Sequence, residues 1–112
     1  MPKPELELFD VETVPWRQVE DAAEGILEKI VSHDPDTGSY TRVLLFPPME
    51  TEGELVHDFW EEVYILEGSL YDVQKKETYL KGYYGCRPPG MRHGPYKIPY
   101  GCKTLEVRTY EK

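Results

Sequence analysis

No stretch of this chain runs far without a turn signal. Ten prolines and nine glycines are spread along its 112 residues, so the uninterrupted segments are short and helical periodicity is scarce. Leu6 and Leu8, alternating with Glu5 and Glu7, predict a first short strand. Residues 15–24 read as one helical turn or a loop, ended by Gly25. Ile26–His33 and Tyr40–Phe46 read as strands joined by Asp34-Pro35-Asp36-Thr37-Gly38-Ser39, where proline presets φ and glycine supplies a positive φ. Pro47-Pro48 stops the second of these. Leu55–His57, Glu62–Leu66, Ser69–Val73, Thr78–Leu80, Tyr83–Arg87, Tyr96–Ile98 and Lys103–Tyr110 complete the set. Gly68 is read as a turn between two of them, and Gln74-Lys75-Lys76-Glu77 as a polar hairpin tip. Closely spaced short strands without βαβ alternation predict an all-β sandwich, barrel or jelly roll. The expected organisation is one domain over 1–112.

Thirteen basic residues against twenty-one acidic ones give a net charge of −8. That field repels phosphates and no basic cluster relieves it, so no nucleic-acid partner is expected. There is no long apolar run for a membrane span, and no apolar stretch behind Met1-Pro2-Lys3-Pro4-Glu5 for a secretory leader. A cytoplasmic protein with Cys86 and Cys102 as free thiols is expected.

Two stretches carry chemistry-bearing residues. The first is Gly53-Glu54-Leu55-Val56-His57-Asp58-Phe59-Trp60-Glu61-Glu62-Val63-Tyr64-Ile65-Leu66-Glu67-Gly68, and the second is Gly82-Tyr83-Tyr84-Gly85-Cys86-Arg87-Pro88-Pro89-Gly90-Met91-Arg92-His93-Gly94-Pro95. Together they resemble the two motifs of the cupin superfamily, G-x5-H-x-H-x(3–4)-E-x6-G and G-x5-P-x-G-x2-H-x3-N. The second matches at every spacing from Gly82 through Pro88 and Gly90 to His93, with Lys97 in place of the final Asn. The wording Glu-Glu-Val-Tyr-Ile-Leu-Glu-Gly and Cys-Arg-Pro-Pro-Gly-Met-Arg-His-Gly-Pro is similar to small single-domain cupins related to ChrR. The resemblance implies a double-stranded β-helix, the cupin jelly-roll barrel. N-terminal strands and a hairpin would occupy 1–48, the motifs 53–68 and 82–97, and a closing strand 103–110.

It also implies a metal site. With His57 as the second histidine of the first motif, a gap of four residues leads to Glu62, and the first histidine position falls on Leu55. The preferred ligand set is His57, Glu62 and His93. Glu61 is the alternative carboxylate, with the literal six-residue gap to Gly68. Imidazole and carboxylate suit a divalent transition metal such as Fe, Mn, Ni or Zn. Strand parity puts Tyr64 and Leu66 on the face of Glu62, so Tyr64 is expected to line the cavity. Tyr64 or a free Glu61 would then handle protons in catalysis.

Cys86 is expected near the site, facing inward. Arg87 and Arg92 are expected in surface ion pairs, with a Glu or an anionic substrate as the alternatives. Residues 50–54 read as a solvated loop. The functional expectation is a metal-dependent enzyme of oxygenase, isomerase or lyase type acting on a small polar or carbonyl-containing molecule. The alternatives are a non-catalytic module that binds or senses a metal or small ligand, as in ChrR-like regulators, and a degenerate cupin kept for assembly. Dimers are common among cupins of this size, and a homodimer, which would cover a sheet edge, is expected.

Overall fold

Side chains alternate along an extended chain, so each strand presents one set of residues inward and the other outward. The computed structural model describes residues 3–111. The strands are β1 (Arg17–Gln18), β2 (Leu27–His33), β3 (Tyr40–Phe46), β4 (Met49–Glu50), β5 (Leu55–Val56), β6 (Trp60–Asp72), β7 (Glu77–Leu80), β8 (Tyr84–Arg87), β9 (Arg92–His93), β10 (Tyr96–Ile98) and β11 (Cys102–Thr109). A 3-10 turn at Val11–Thr13, capped by Asp10, is the one helical element among the described residues, and no helix there is long and apolar enough to cross a membrane.

Every pairing is antiparallel. One layer runs β1-β2-β3-β11-β6-β8. The far half of β6 continues into a second layer between β7 and β10, with β4 at its edge. β5 and β9 pair apart from both. Sharing β6 curls the sheet on itself, and the result is the all-β jelly roll that the sequence predicted. The hairpin between β2 and β3 forms as expected: Asp34 Oδ1 accepts the Asp36 amide at 2.9 Å, and Gly38 takes φ +85°.

The apolar core lies toward the second layer. Ile65, Leu70, Tyr96, Ile98 and Cys102 are buried together, with Phe46, Met49, Leu55 and Tyr79 packed against them.

Three expectations change. Gly68 is not a turn between two strands, because β6 runs unbroken through it. Lys103 of β11 faces Glu67 and the next residue, Thr104, faces Ile65, so Leu66 is an extra residue and forms a bulge. Gly68 takes φ +81°, and a Cβ there would run into the Gly101 carbonyl. The Leu6–Leu8 strand does not form, since residues 3–8 pair with no described strand, and Leu8 is 95% exposed. Alternation without a partner edge leaves the backbone to water. Residues 15–24 contain the short strand β1, paired to β2 through Arg17↔Glu28 and Gln18↔Leu27.

Candidate metal centre

The register of the first layer decides which side chains enter the barrel. Across β11 and β8, the inward row reads Arg108, Glu61, Arg87, and a neighbouring inward row pairs Arg42 with Glu106. The outward rows pair Val107, Glu62 and Cys86, and Leu105, Tyr64 and Tyr84. Glu61 is therefore buried, at 3% exposure, while Tyr64 is 43% exposed. Glu62 lies on the outer face, where its Oε1 accepts from Tyr84 Oη at 2.6 Å. The parity assigned to β6 from sequence is thus reversed, and Glu62, Tyr64 and Cys86 face away from the cavity. The cause is the pairing: Arg87 and Arg108 both bring guanidinium groups inward opposite Glu61, and a buried carboxylate needs such partners.

His57 follows β5, and His93 ends β9. The Pro88-Pro89-Gly90 turn joins these segments: Met91 donates its amide to the Pro88 carbonyl at 3.1 Å and Gly90 to the His57 carbonyl at 2.8 Å, with Gly90 at φ +85°. One donor atom from each of His57, Glu61 and His93 lies within 4.8 Å of the others. The two imidazole centroids are 5.2 Å apart, and His57 stacks on Phe59 at 4.6 Å. His93 Nδ1 lies 3.0 Å from Tyr96 Oη, which also accepts from Arg87 Nη2 at 3.0 Å. Arg87 Nη1 donates to Glu61 Oε1 at 2.6 Å. His93 Nε2 is buried and has no hydrogen-bond partner. Leu55, directly opposite His93 in the β5–β9 pair, is half-buried against the core.

Burial, then the charge of Arg87 and the neighbouring His57, pushes His93 down to about 4. Burial, then Arg108, also lowers His57. Both rings are neutral near pH 7 and carry free lone pairs. Burial alone would raise Glu61, but its contacts with Glu106, Arg87 and Arg108 outweigh that and hold it below the usual carboxylate range. Glu106 moves the other way, raised by burial first and by Glu61.

These groups line a cavity of about 280 Å³ that also reaches Arg42, Leu44, Val63 and Thr104. A second cavity of about 270 Å³ lies across the Arg87, His93 and Tyr96 wall, lined by Tyr79, Tyr83, Met91 and Lys75.

The donor set fits a divalent transition metal: two neutral imidazoles, one ionised carboxylate, and a buried nitrogen aimed at no protein partner. Of the residues singled out from sequence, the structure gathers His57, His93 and Glu61. Arg92 makes the expected surface pair, 3.4 Å from Glu54, whereas Arg87 is an interior partner of Glu61. Within residues 50–54, Glu50 belongs to β4, and Thr51 Oγ1 accepts the Tyr96 amide at 2.8 Å.

Sequence reasoning missed the rest of the interior network. Arg42, 5% exposed, bridges Glu28 at 2.6 Å and Glu106 at 2.5 Å, and Arg108 approaches Glu106 at 3.3 Å. The available signal was charge at every second position, Glu106 and Arg108 on one face of β11, flanked by Leu105 and Val107 on the other.

The family model described as a ChrR cupin-like domain matches residues 5–109. No curated protein sequence matches significantly. Among solved structures, an acetylacetone dioxygenase from Acinetobacter johnsonii superposes with a TM-score of 0.71 at 17% identity, covering 94% of this chain and 73% of that one. The polyketide cyclase RemF from Streptomyces resistomycificus gives 0.71 at 21% identity, covering 93% and 79%. A chain of the Rhodobacter sphaeroides complex of SigE with the anti-sigma ChrR gives 0.66 at 17% identity, covering 89% and 52%. At these identities the likeness establishes the fold.

Proposed function

This chain belongs to the ChrR cupin-like domain family, and from that premise we propose that His57, Glu61 and His93 hold one divalent transition metal in a barrel that admits a small polar or carbonyl-containing molecule. The observation that carries this reading is the convergence of one donor atom from each of His57, Glu61 and His93 within 4.8 Å, beside a His93 Nε2 that is buried and partnerless. When bound, such an ion supplies Lewis acidity or redox chemistry to a ligand oxygen.

The chain's own residues prepare the site. In the tautomer protonated at Nδ1, His93 donates to Tyr96 Oη and its Nε2 lone pair is left for a ligand. Arg87 spans Tyr96 and Glu61 and so fixes both. Phe59 packs flat against His57 and limits its rotation. Leu55 contributes an apolar wall where cupins commonly place a further donor. The reaction class proposed is oxygenation, isomerisation or lyase chemistry, in keeping with neighbours that include a dioxygenase and a cyclase.

A second reading, binding or sensing without turnover, is favoured by Leu55 itself and by the ChrR neighbour. Oxygen uptake by the metal-loaded protein with a diketone separates the two.

The test is elemental analysis of protein expressed in metal-supplemented medium. About one Fe, Mn, Ni or Zn per chain is expected, lost in His93→Ala and Glu61→Gln and retained in Glu62→Gln. Folded protein that takes up no metal under any supplementation, or uptake unaltered by His93→Ala, overturns the assignment.

A further inference from the structure

The inner face of the first layer changes character along its strands. Its inward rows, read in register across β3, β11 and β6, begin with Tyr40, Arg108 and Glu61. Arg42, Glu106 and Val63 follow, then Leu44, Thr104 and Ile65, and last Phe46, Cys102 and Gly68. Successive rows on one face stand about 6.8 Å apart, two residues of rise. The ionised groups therefore occupy the first two rows, and the last two are apolar apart from Thr104. The cavity beside His57, Glu61 and His93 spans this gradient. Arg108, Arg42 and Glu106 line its ionic end, and Leu44, Phe46, Leu55 and Ile98 line the end toward the core.

Charge at the ionic end balances within the protein. Arg42, Arg87 and Arg108 meet Glu28, Glu61 and Glu106, three cations against three carboxylates. The largely exposed Arg17 takes the second oxygen of Glu28. A divalent ion held by His57, Glu61 and His93 adds two positive charges, and among the described residues only Glu61 and Glu106 offer carboxylates to this cavity. A positive excess shielded from water favours an anion beside it.

Arg108 supplies a second, independent pointer. Its Nε is buried with no hydrogen-bond partner. Glu106 Oε1 approaches at 3.3 Å and Glu61 Oε2 at 4.0 Å, but neither accepts from it. The guanidinium lies 4.6 Å over the Phe59 ring and 5.5 Å from the Tyr40 ring. Phe59 also stacks on His57, so one aromatic ring places both the guanidinium and the imidazole.

We propose that this cavity takes a small aliphatic carboxylate, its head between the metal centre and Arg108 and its alkyl chain along Leu44, Phe46, Leu55 and Ile98. The proposal rests on the metal reading above and narrows its ligand to amphipathic acids. Arg108 is then the specificity-determining residue, because a planar guanidinium matches a carboxylate in shape as well as charge. The cavity of about 280 Å³ has room for roughly nine waters at about 30 Å³ each, so an ion and an acid of about six carbons fill it.

The test is isothermal titration calorimetry on the full chain, metal-free and zinc-loaded, with zinc content read by elemental analysis and folding by circular dichroism. The probes are acetate, butanoate and hexanoate, with 2-hexanone as an uncharged analogue. In the zinc-loaded protein, affinity should rise from acetate to hexanoate by up to about fourfold per methylene. Hexanoate should bind at least about tenfold tighter than 2-hexanone and than it does to metal-free protein. Arg108→Lys, which keeps a positive charge beside Glu106, should weaken hexanoate about tenfold and leave zinc content unchanged. Leu44→Ala should move the preferred chain toward octanoate. Lys75→Met, on the wall of the second cavity, should bind hexanoate as wild type does. If Arg108→Lys fails to fold, the chain-length and charge comparisons in wild type carry the test. Zinc-loaded protein with no chain-length trend, with 2-hexanone bound as tightly as hexanoate, or with hexanoate lost in Lys75→Met, overturns this proposal and leaves the metal assignment standing. Folded protein that takes up no zinc, iron, manganese or nickel overturns the metal assignment and this proposal with it.

Discussion

Replacing Arg87 by Met removes the guanidinium that meets Glu61 at 2.6 Å and keeps a side chain of comparable length. Glu61 is 3% exposed, so bulk water does little to replace the lost cation. Breaking a buried ion pair by deleting one partner costs about 3–5 kcal/mol. Arg108 still stands 4.0 Å from Glu61 Oε2, which places this case at the lower end. The lost donor to Tyr96 Oη is within that figure, at about 1 kcal/mol. A loss of about 3 kcal/mol is expected at pH 7, against a total stability of about 5–15 kcal/mol for a domain of this kind. With a urea m-value near 1.5 kcal/mol/M, the midpoint should fall by about 2 M.

Two controls separate charge neutralisation from packing. In a Glu61→Gln background the same Arg87→Met change should cost only about 1 kcal/mol, because no buried charge is orphaned. The loss should also shrink in acid. Glu61 is held below its ordinary range in the fold, so its contribution is present above the unfolded carboxylate value and disappears as pH falls through the folded one. In Arg87→Met that carboxyl protonates sooner, and the gap to wild type narrows. A saturating divalent metal should recover more stability in Arg87→Met than in wild type if Glu61 is a ligand, since the ion then replaces the missing cation. A loss under 1 kcal/mol, or an equal loss in the Glu61→Gln background, refutes the account of Arg87 as the counter-charge.

Leu55→His places an imidazole opposite His93 across β5–β9; metal competition titration should show at least about tenfold tighter binding, at a cost in urea stability of about 2 kcal/mol from the lost core contact. In metal-free protein His93 is held down to about 4 against an ordinary 6.5, so the unfolded chain binds the extra proton between those values. Stability should therefore fall as pH drops through that window, by up to about 3 kcal/mol, and a flatter pH profile in His93→Asn checks it. Cys86 is exposed and Cys102 buried, with burial pushing the Cys102 thiol up to about 11. A thiol reagent should label Cys86 in the native protein and Cys102 only on unfolding.

The β2–β3 hairpin was legible because Asp34-Pro35-Asp36-Thr37-Gly38-Ser39 encodes its own turn and lies between two apolar runs. The second motif was legible too, since proline and glycine fix the loop that presents His93 whatever surrounds it. β6 was less so: Gly68 carries the sign of a turn, yet it lies within a continuous strand just beyond the Leu66 bulge, and glycine stands there because Gly101 of another segment crowds it. Arg42 gave no local sign of burial and Glu106 only its alternation with Leu105 and Val107, for each is tolerable inside the barrel only because the other is there.

The amino-acid order determined most of the strands through local turn chemistry and period-two patterning, while the jelly roll and the histidines were legible through the resemblance to the two cupin motifs. It did not determine the phase of β6. Glu61 and Glu62 are adjacent carboxylates that alternation sends to opposite faces, and either assignment satisfies the pattern of that strand alone. The choice was made by Arg87 and Arg108, which arrive from β8 and β11, and by the energetic demand that a carboxylate taken out of water meet a cation.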